Sequence, residues 1–217
     1  ILEFFMKKLI LLSCLFGLPI LHGCSLTGQK HLKCDDPNAI ALLQKNLQEQ
    51  LEKKLDIGLK DLIKKNLLED VDTSKLQLSA KSIQFNLMDS RTNHIDPDSP
   101  KTVCAIDLTA TIPSDIIKKS DSVRNIANTS NTEDQAQKLE LDFTQSKAKI
   151  TLDYILQPSD KGDKIFATIT NSDKLTTLLS DTLFYAFIKP QVDSGKIGFN
   201  GQQREPDTQY SNEEYYE

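Results

Sequence analysis

The sequence predicts an α+β domain in which a long N-terminal helix packs on an antiparallel sheet of about four strands and a C-terminal helix follows. Two periodicities indicate this fold. Apolar residues recur every three or four positions from 39 to about 68, as in an amphipathic helix. Later segments alternate apolar and polar residues, as in strands with one buried face. Turns or irregular loops join these strands, which favours antiparallel pairing with the helices on one face.

The long helix has clear start signals. Asp35, Asp36 and Pro37 supply a capping aspartate and a proline in the first turn. The spacing of its apolar residues wanders between three and four without settled heptads, so packing on a sheet is favoured over a coiled coil. The predicted buried stripe consists of Ile40, Leu43, Leu47, Leu51, Leu55, Leu59, Leu62 and Ile63.

Two strands are predicted after the long helix. The first runs from Leu76 to Leu87, and we interpret its break of phase near Ser82 as a bulge. Residues 93–101 contain two prolines and are predicted as a loop. The second strand covers 103–112 and carries Cys104 on its apolar face, so this strand is expected to face the helix.

The next segment, 114–138, is weakly patterned. Apolar residues between Ile116 and Ile126 allow a short helix, whereas 125–137 is polar and is predicted as a loop. We therefore interpret 114–138 as a variable insert between the two halves of the sheet.

The second half of the sheet follows this insert. Alternation resumes over 139–156, and the polar turn 158–163 links that strand to another over 165–170, which is a hairpin signal. Residues 171–173 then cap a final helix that runs to about Ile188.

Residues 34–190 are predicted to form a single domain, because Pro190 ends the last helix and the residues after it contain no apolar core. A helix wrapped by such a sheet resembles a cystatin-like roll, a resemblance that rests on element order alone. Residues 191–217 are predicted to be a disordered acidic tail. The candidate anchors for a partner in this tail are Tyr210, Tyr215 and Tyr216.

The pattern of residues 1–23 is typical of an export signal rather than of part of the fold. Met6, Lys7 and Lys8 form a short, positively charged start. The apolar stretch Leu9–Leu21 follows, about 13 residues long against the roughly 20 that a membrane-spanning helix needs. The stretch therefore suits a signal peptide and is too short to cross a bilayer.

The stretch ends in Leu21-His22-Gly23-Cys24, which resembles the lipobox of bacterial lipoproteins. Leu21, Gly23 and Cys24 match that pattern, while His22 departs from it, because the family usually has a small or hydroxylated residue there. The resemblance implies cleavage before Cys24 and attachment of acyl chains such as palmitate, which hold a protein firmly on a membrane when two or three are present. An ordinary secretory signal with an accidental cysteine is the alternative.

The same resemblance implies where the protein is found. Ser25 after the cysteine, in place of aspartate, is similar to lipoproteins sent to the outer membrane, where the domain faces the periplasm or the cell surface. Residues 24–33 are short, polar and unpatterned, so we interpret them as a tether between the lipid and the domain.

The cysteines predict one disulfide. Cys14 leaves with the signal and Cys24 is acylated, so Cys34 and Cys104 remain as an even pair in an exported chain. Their bridge closes a loop of about 70 residues and contributes about 4 kcal/mol in the chain-entropy model. Two unrelated buried thiols are the alternative.

The composition offers little for catalysis, metal binding or nucleic-acid binding. His22 leaves with the signal, His31 lies in the tether and His94 lies in a predicted loop, so no catalytic triad can be assembled. The cysteine spacing does not suit zinc, and the acids near His94 do not form a calcium loop. A net charge of −5 argues against nucleic-acid binding. We therefore predict no catalytic residue, no metal and no cofactor.

These observations predict a lipid-anchored envelope protein that binds another protein and is not an enzyme. An inhibitor or immunity protein is a narrower version of this hypothesis. The expected contact surfaces are the insert 114–138, the tail, and the outer side of the final helix at Phe184, Tyr185 and Ile188.

Two other functions stay open. One is a carrier of a small apolar ligand, in a cavity between the helix and the sheet lined by residues such as Leu51, Leu55, Phe85 and Phe143. The other is a carboxylate-based hydrolase, because acidic residues are plentiful along the chain. The lack of tryptophan argues against a carbohydrate site.

Overall fold

The structure is a computed structural model that describes residues 31–68 and 73–199. It confirms the α+β class, since the described residues form six helices and a five-stranded antiparallel sheet. In chain order the elements are α1 (Pro37–Lys64), α2 (Ser74–Lys81), β1 (Gln84–Ile95), β2 (Thr102–Thr111), α3 (Ser114–Ile126), α4 (Thr132–Lys138), β3 (Asp142–Thr144), β4 (Lys147–Pro158), β5 (Ile165–Ile169), α5 (Asp173–Phe187) and α6 (Lys189–Phe199).

Strands β2 and β4 form the centre of the sheet. Strand β1 pairs with β2, and β4 pairs on its other side with β3 near its start and with β5 near its end. Opposite residues such as Ile106 and Leu152 are fully buried on the same face. The predicted single strand over 139–156 is divided by a turn at Gln145 and Ser146, whose φ values of 52° and 67° reverse the chain, so there are five strands instead of four.

Helix α1 confirms the predicted long helix and lies across the inner face of the sheet. The Asp36 carboxylate accepts hydrogen bonds from the backbone N–H groups of Asn38 and Ala39, at 2.8 and 3.3 Å. This cap satisfies two donors that the first turn leaves free. The buried stripe on this helix is Ala39, Leu43, Leu47, Leu51, Leu55 and Leu59.

One residue that the sequence places in the buried stripe of α1 is not buried in the structure. Ile63, which the sequence places in the stripe, is 52% exposed, because it lies a quarter turn beyond Leu62 and off the contact line.

Two amide side chains hold α1 between the outer strands of the sheet. Gln44 donates to the backbone carbonyl of Phe85 in β1 at 3.1 Å, and Asn46 donates to that of Ala167 in β5 at 2.9 Å. These two positions lie on opposite sides of the helix, since two residues correspond to about 200° of rotation. The helix therefore fills the width between β1 and β5.

The prediction of a strand beginning at Leu76 is wrong, because α2 occupies residues 74–81 and β1 begins only at Gln84. Leu76 and Ala80 are buried, whereas Leu78 is 69% exposed. A spacing of four separates the buried residues, as a helix requires. Apolar residues at 76, 78 and 80 satisfy the strand period by themselves, so the pattern was ambiguous over this short stretch.

The predicted loops on either side of β2 are shorter than expected. Strand β1 continues to Ile95, so His94 lies in a strand and not in a loop. The polar segment 125–137 is not a loop throughout, because helix α4 begins at Thr132, and the Asn131 side chain caps it by accepting from the N–H of Asp134 at 2.8 Å. Only Ala136 and Thr132 of this short helix are buried, too few for a sequence period.

The predicted final helix is confirmed as α5, but Pro190 does not end the helical region. Pro190 lies in the first turn of α6, where a residue without an N–H is tolerated. Val192 of this helix is buried, so the predicted start of a tail at 191 is wrong. The tail residues 200–217 lie outside the described residues.

The predicted disulfide between Cys34 and Cys104 is confirmed, with 5.7 Å between the Cα atoms. The Tyr154 hydroxyl donates to the backbone carbonyl of Cys34 at 2.7 Å, and burial raises the pKa of Tyr154 above its ordinary value. Leu32 also packs against the core, so ordered contacts begin earlier than the predicted end of the tether at 33. The bridge thus joins the residues just before α1 to the central strand β2.

Leu76 and Leu78 form a matched pair that tests the helix α2. We expect Leu76→Ala to lower the free energy of unfolding by about 3 kcal/mol, because it opens a cavity in the core. The exposed Leu78→Ala is expected to change it by less than about 0.5 kcal/mol. Urea unfolding measures both, and equal losses would instead support the alternating strand.

The Cys34–Cys104 bridge closes a loop with a sequence separation of 70. We expect the double variant Cys34→Ser with Cys104→Ser to lose about 4 kcal/mol of unfolding free energy, because the unfolded chain regains its loop entropy. Guanidinium unfolding of the oxidised protein measures this loss, and reduction of the unmodified protein is the control. An unchanged midpoint in both samples would show that the bridge is not formed.

Candidate functional site

The polar groups that could act in catalysis are dispersed. His94 is exposed on β1, while His31 lines a pocket beside the disulfide, and its Nδ1 atom is buried without a partner among the described residues. In residues 31–68 and 73–199 no group of three or more His, Cys, Asp or Glu side chains is arranged to hold a metal ion.

Three carboxyl groups among the described residues have pKa values below the ordinary values of their side chains. A hydrogen bond from the Ser99 hydroxyl is the main cause for Asp96, and one from Arg91 is the main cause for Asp107. An ion pair with Lys174 lowers the pKa of Glu140. A general acid needs a raised pKa to hold its proton near neutral pH, so none of these three groups is suited to that role.

An apolar groove lies where the last turns of α1 meet the end of α5 and the start of α6. It has a volume of about 430 Å³. Its walls combine aliphatic and aromatic side chains with one charged residue on either side. The residues that line it are Gly58, Asp61, Leu62, Leu67, Phe184, Tyr185, Ile188, Lys189 and Val192.

Phe184 lies directly on the backbone of α1 because residue 58 is glycine. A Cβ atom at position 58 would lie 2.6 Å from Cζ of the Phe184 ring, which is closer than atoms can approach. Glycine is unfavourable inside a helix by about 1 kcal/mol relative to alanine. Here the missing side chain lets the phenylalanine ring pack on the helix and form a wall of the groove.

Tyr185, the second aromatic wall, rests on a buried guanidinium group. The Cζ atom of Arg124 lies 3.9 Å from the centre of the Tyr185 ring, a cation–π contact. Arg124 is 1% exposed and comes from α3, in the predicted insert. Its Nη2 donates to the Asp181 carboxylate at 2.5 Å and its Nε donates to the Ser120 hydroxyl at 3.2 Å. These bonds fix the guanidinium and so fix the ring above it.

The charges on the rim of the groove are neutralised within the domain. Lys65 pairs with Asp61 at 2.7 Å on the α1 side, and Lys189 pairs with Asp193 at 2.6 Å on the α6 side. Leu67 in the groove is 38% exposed. The four charged groups of these two ion pairs are therefore all paired, and the surface of the groove is mainly aromatic and aliphatic. Such a surface suits an apolar occupant.

The predicted contact residues of the final helix are brought together in this groove. Phe184 and Tyr185 are half-buried walls, whereas Ile188 is 1% exposed and lies in the floor. Sequence reasoning missed Gly58 and Arg124. A glycine inside a helical period is a signal that could have identified the first, but no sequence signal indicated that an arginine in the insert would be buried.

The residues expected to line a carrier cavity are not gathered in one place. Leu55 lines a groove between α1 and α2, and Phe143 lines a different pocket beside α4. Leu51 is fully buried in the core. The groove beside α5 has a more apolar lining than either of these two pockets, although the sequence did not indicate it as a carrier site.

No family model matches the chain, and comparisons with curated proteins and with solved structures found no similar protein. None of the helices within the described ranges combines the length and the apolar character that crossing a membrane requires. Cys24 and the rest of the lipobox lie outside the described residues.

Asp181 and Asp56 form a matched pair that tests the support of Tyr185. Asp181→Ala leaves the buried Arg124 without its carboxylate, so we expect a loss of about 2 kcal/mol in unfolding free energy. Asp56 pairs with Lys60 on the exposed face of α1, and Asp56→Ala is expected to cost less than about 1 kcal/mol. Urea unfolding compares the two variants. Similar losses would contradict a structural role for the buried pair.

Proposed function

We propose that this protein is a lipid-anchored envelope protein whose domain binds another protein through the groove formed by α1, α5 and α6, without catalysing a reaction. The observation that carries the proposal is the apolar groove with two aromatic walls, Phe184 and Tyr185. Aromatic side chains in pockets of this kind supply much of the binding energy in protein interfaces.

The arrangement of the groove favours recognition over chemistry. Both aromatic rings pack against a fixed part of the domain. Phe184 contacts the α1 backbone at Gly58, and Tyr185 stacks on the guanidinium of Arg124. A rigid surface loses little side-chain entropy when a partner binds, so more of the contact energy appears as affinity. A partner with an exposed apolar residue or an amphipathic helix suits such a groove. An inhibitor or immunity protein would act in this way, by covering a surface of its target.

The lipobox resemblance supports a membrane location for this binding. If Cys24 is acylated, Leu32, which packs on the domain, lies only eight positions after it. Eight extended residues span at most about 27 Å. The domain is then held close to the lipid surface, so its partner is expected in the same membrane or next to it. The disulfide suits the oxidising compartment outside the cytoplasm.

A carrier of a small apolar ligand is the second candidate. The groove volume of about 430 Å³ falls within the range of about 300–1,000 Å³ typical of small-molecule sites, and its walls are mainly apolar. The same residues would contact the ligand, so the two functions differ in the occupant and not in the site.

Cross-linking in intact cells, followed by affinity capture with a tag after Glu217, tests the proposal. We expect one envelope protein in near-equal amount, and about a ten-fold lower yield with Phe184→Ala or Tyr185→Ala, because each removes a wall of the groove. Phe166→Ala is the matched control, since Phe166 is 56% exposed on β5 and lies outside the groove lining. Mass spectrometry of the same samples reports acylation of Cys24.

The outcomes separate the candidates. Equal capture from the groove variants and the unmodified protein would contradict the assigned site. Acylated protein without a partner, but with an extractable small molecule that is lost in Tyr185→Ala, would support the carrier. The unfolding midpoint of each variant is measured in parallel, so a folding defect is recognised as such.

A further inference from the structure

A second pocket lies beside the disulfide, at the opposite end of α1 from the groove. It has a volume of about 400 Å³. Its walls come from the residues just before α1, from the end of β1 at Thr92 and Ile95, and from the start of β2 at Thr102. The volume falls within the range of about 300–1,000 Å³ typical of small-molecule sites. The pocket and the groove share no lining residue.

Two polar side-chain atoms in the wall of this pocket have no hydrogen-bond partner among the described residues. They are Nδ1 of His31 and Oγ1 of Thr102, and both are buried. No other side-chain oxygen or nitrogen in residues 31–68 and 73–194 is both buried and unpartnered. Buried polar groups without a partner are unfavourable and therefore rare in folded proteins. Their occurrence together in one pocket indicates a polar binding site, where a ligand supplies the missing partners.

One charge of each sign lies at the pocket. Lys33 and Asp35 are both exposed, and neither has an ion-pair partner among the described residues. The Asp36 N–H donates to the Lys33 carbonyl at 3.1 Å, which closes a turn and keeps Lys33 and Asp35 near each other. Two positions of chain span at most about 7 Å, so an ammonium and a carboxylate a few ångströms apart can pair with both side chains. A ligand with a single charge would be attracted by one of them and repelled by the other.

The wall of the pocket is held in place by a network around Cys34. Cys34 is bonded to Cys104, and the Thr92 hydroxyl donates to the Cys34 Sγ at 3.3 Å. The Tyr154 hydroxyl donates to the Cys34 carbonyl at 2.7 Å, so Ser90, 2.9 Å from the Tyr154 oxygen, is the donor in the bond between these two hydroxyls. The residues before α1 are thereby fixed against β1 and the centre of the sheet. A wall that is already ordered loses little entropy when a ligand binds.

We propose that this pocket binds a short zwitterion, namely a dipeptide with one apolar side chain. Asp35 pairs with the amino group and Lys33 pairs with the carboxylate, while Leu32 and Ile95 offer apolar surface to the side chain. The inference goes beyond the proposed function, because it concerns a different site and a different class of ligand.

Binding completes the two unpartnered atoms. The Thr102 hydroxyl can donate to a peptide carbonyl or a carboxylate, and His31 Nδ1 can donate or accept according to its tautomer. Both atoms are closed to solvent in the free domain, so each side chain turns toward the ligand when it enters. The Thr102 hydroxyl therefore lowers the stability of the free protein and raises the affinity for the dipeptide.

Isothermal titration of the purified, full-length protein with leucylglycine tests the class of ligand. We expect saturable binding of leucylglycine, and about ten-fold weaker binding of N-acetyl-leucylglycine and of leucylglycine amide, because each of these lacks one of the two charges. No binding of leucylglycine, or equal affinity for all three compounds, would overturn the proposal. Tighter binding of either modified peptide would also overturn it, by showing that the pocket selects a single charge.

Thr102→Val and Thr109→Val form a matched pair that tests the buried hydroxyl. Thr109 is half-buried on the opposite face of β2 and does not line the pocket. We expect Thr102→Val to weaken leucylglycine binding about ten-fold and to raise the urea midpoint of the free protein, because it removes a buried hydroxyl that has no partner. Thr109→Val is expected to leave the affinity unchanged. Unchanged affinity in Thr102→Val would contradict the assigned site.

His31→Ala and His94→Ala supply a second comparison. His94 is exposed on β1 and does not line the pocket, although it is next to Ile95. We expect His31→Ala to weaken leucylglycine binding about five-fold and His94→Ala to leave it unchanged. Equal effects of the two variants would count against the pocket as the binding site. Phe184→Ala is expected to bind the dipeptide normally, so failure of this proposal would leave the function proposed for the groove intact.

Discussion

Burial of one apolar stripe of α1 against the inner face of the sheet is the interaction on which the remainder of the structure depends. Leu43, Leu47 and Leu51 are fully buried, and a fully buried leucine contributes about 1.5–3 kcal/mol. Gln44 and Asn46 then fix the position of the helix between β1 and β5, by satisfying backbone carbonyls of these strands. The disulfide adds a covalent constraint at the start of the same helix.

The groove follows from the length of α1. Its 28 residues correspond to about 42 Å, and its later turns pack against α5, where Lys54 donates to the Thr177 hydroxyl and Gly58 contacts Phe184. The last turns therefore face the end of α5 and the start of α6. The groove lies between these three helix segments, and side chains from each of them line it.

The two aromatic walls of this space are supported by different elements. Phe184 is positioned by α1, whereas Tyr185 is positioned by Arg124 of α3, which Asp181 holds from α5 itself. The insert between the two halves of the sheet thus has a structural role in the groove, although it does not line it. Arg124 is buried whereas Asp181 is 40% exposed, and their pair holds the guanidinium under the Tyr185 ring.

The sequence by itself determined the α+β class, the long helix, β2, the β4–β5 hairpin and α5, because each follows from a sustained period or a capping residue. It also predicted the disulfide, because Cys34 and Cys104 are the pair left when the predicted signal and lipidation site are set aside. Short segments were decided only by tertiary structure. Leu76 and Ala80 fit both the strand period and the helix period, and only their burial beside the exposed Leu78 identifies the segment as a helix. Helix α4 has too few apolar residues to show either period. The groove depends on contacts between residues distant in the chain, Gly58 with Phe184 and Arg124 with Tyr185, and no local pattern records which distant side chains will meet.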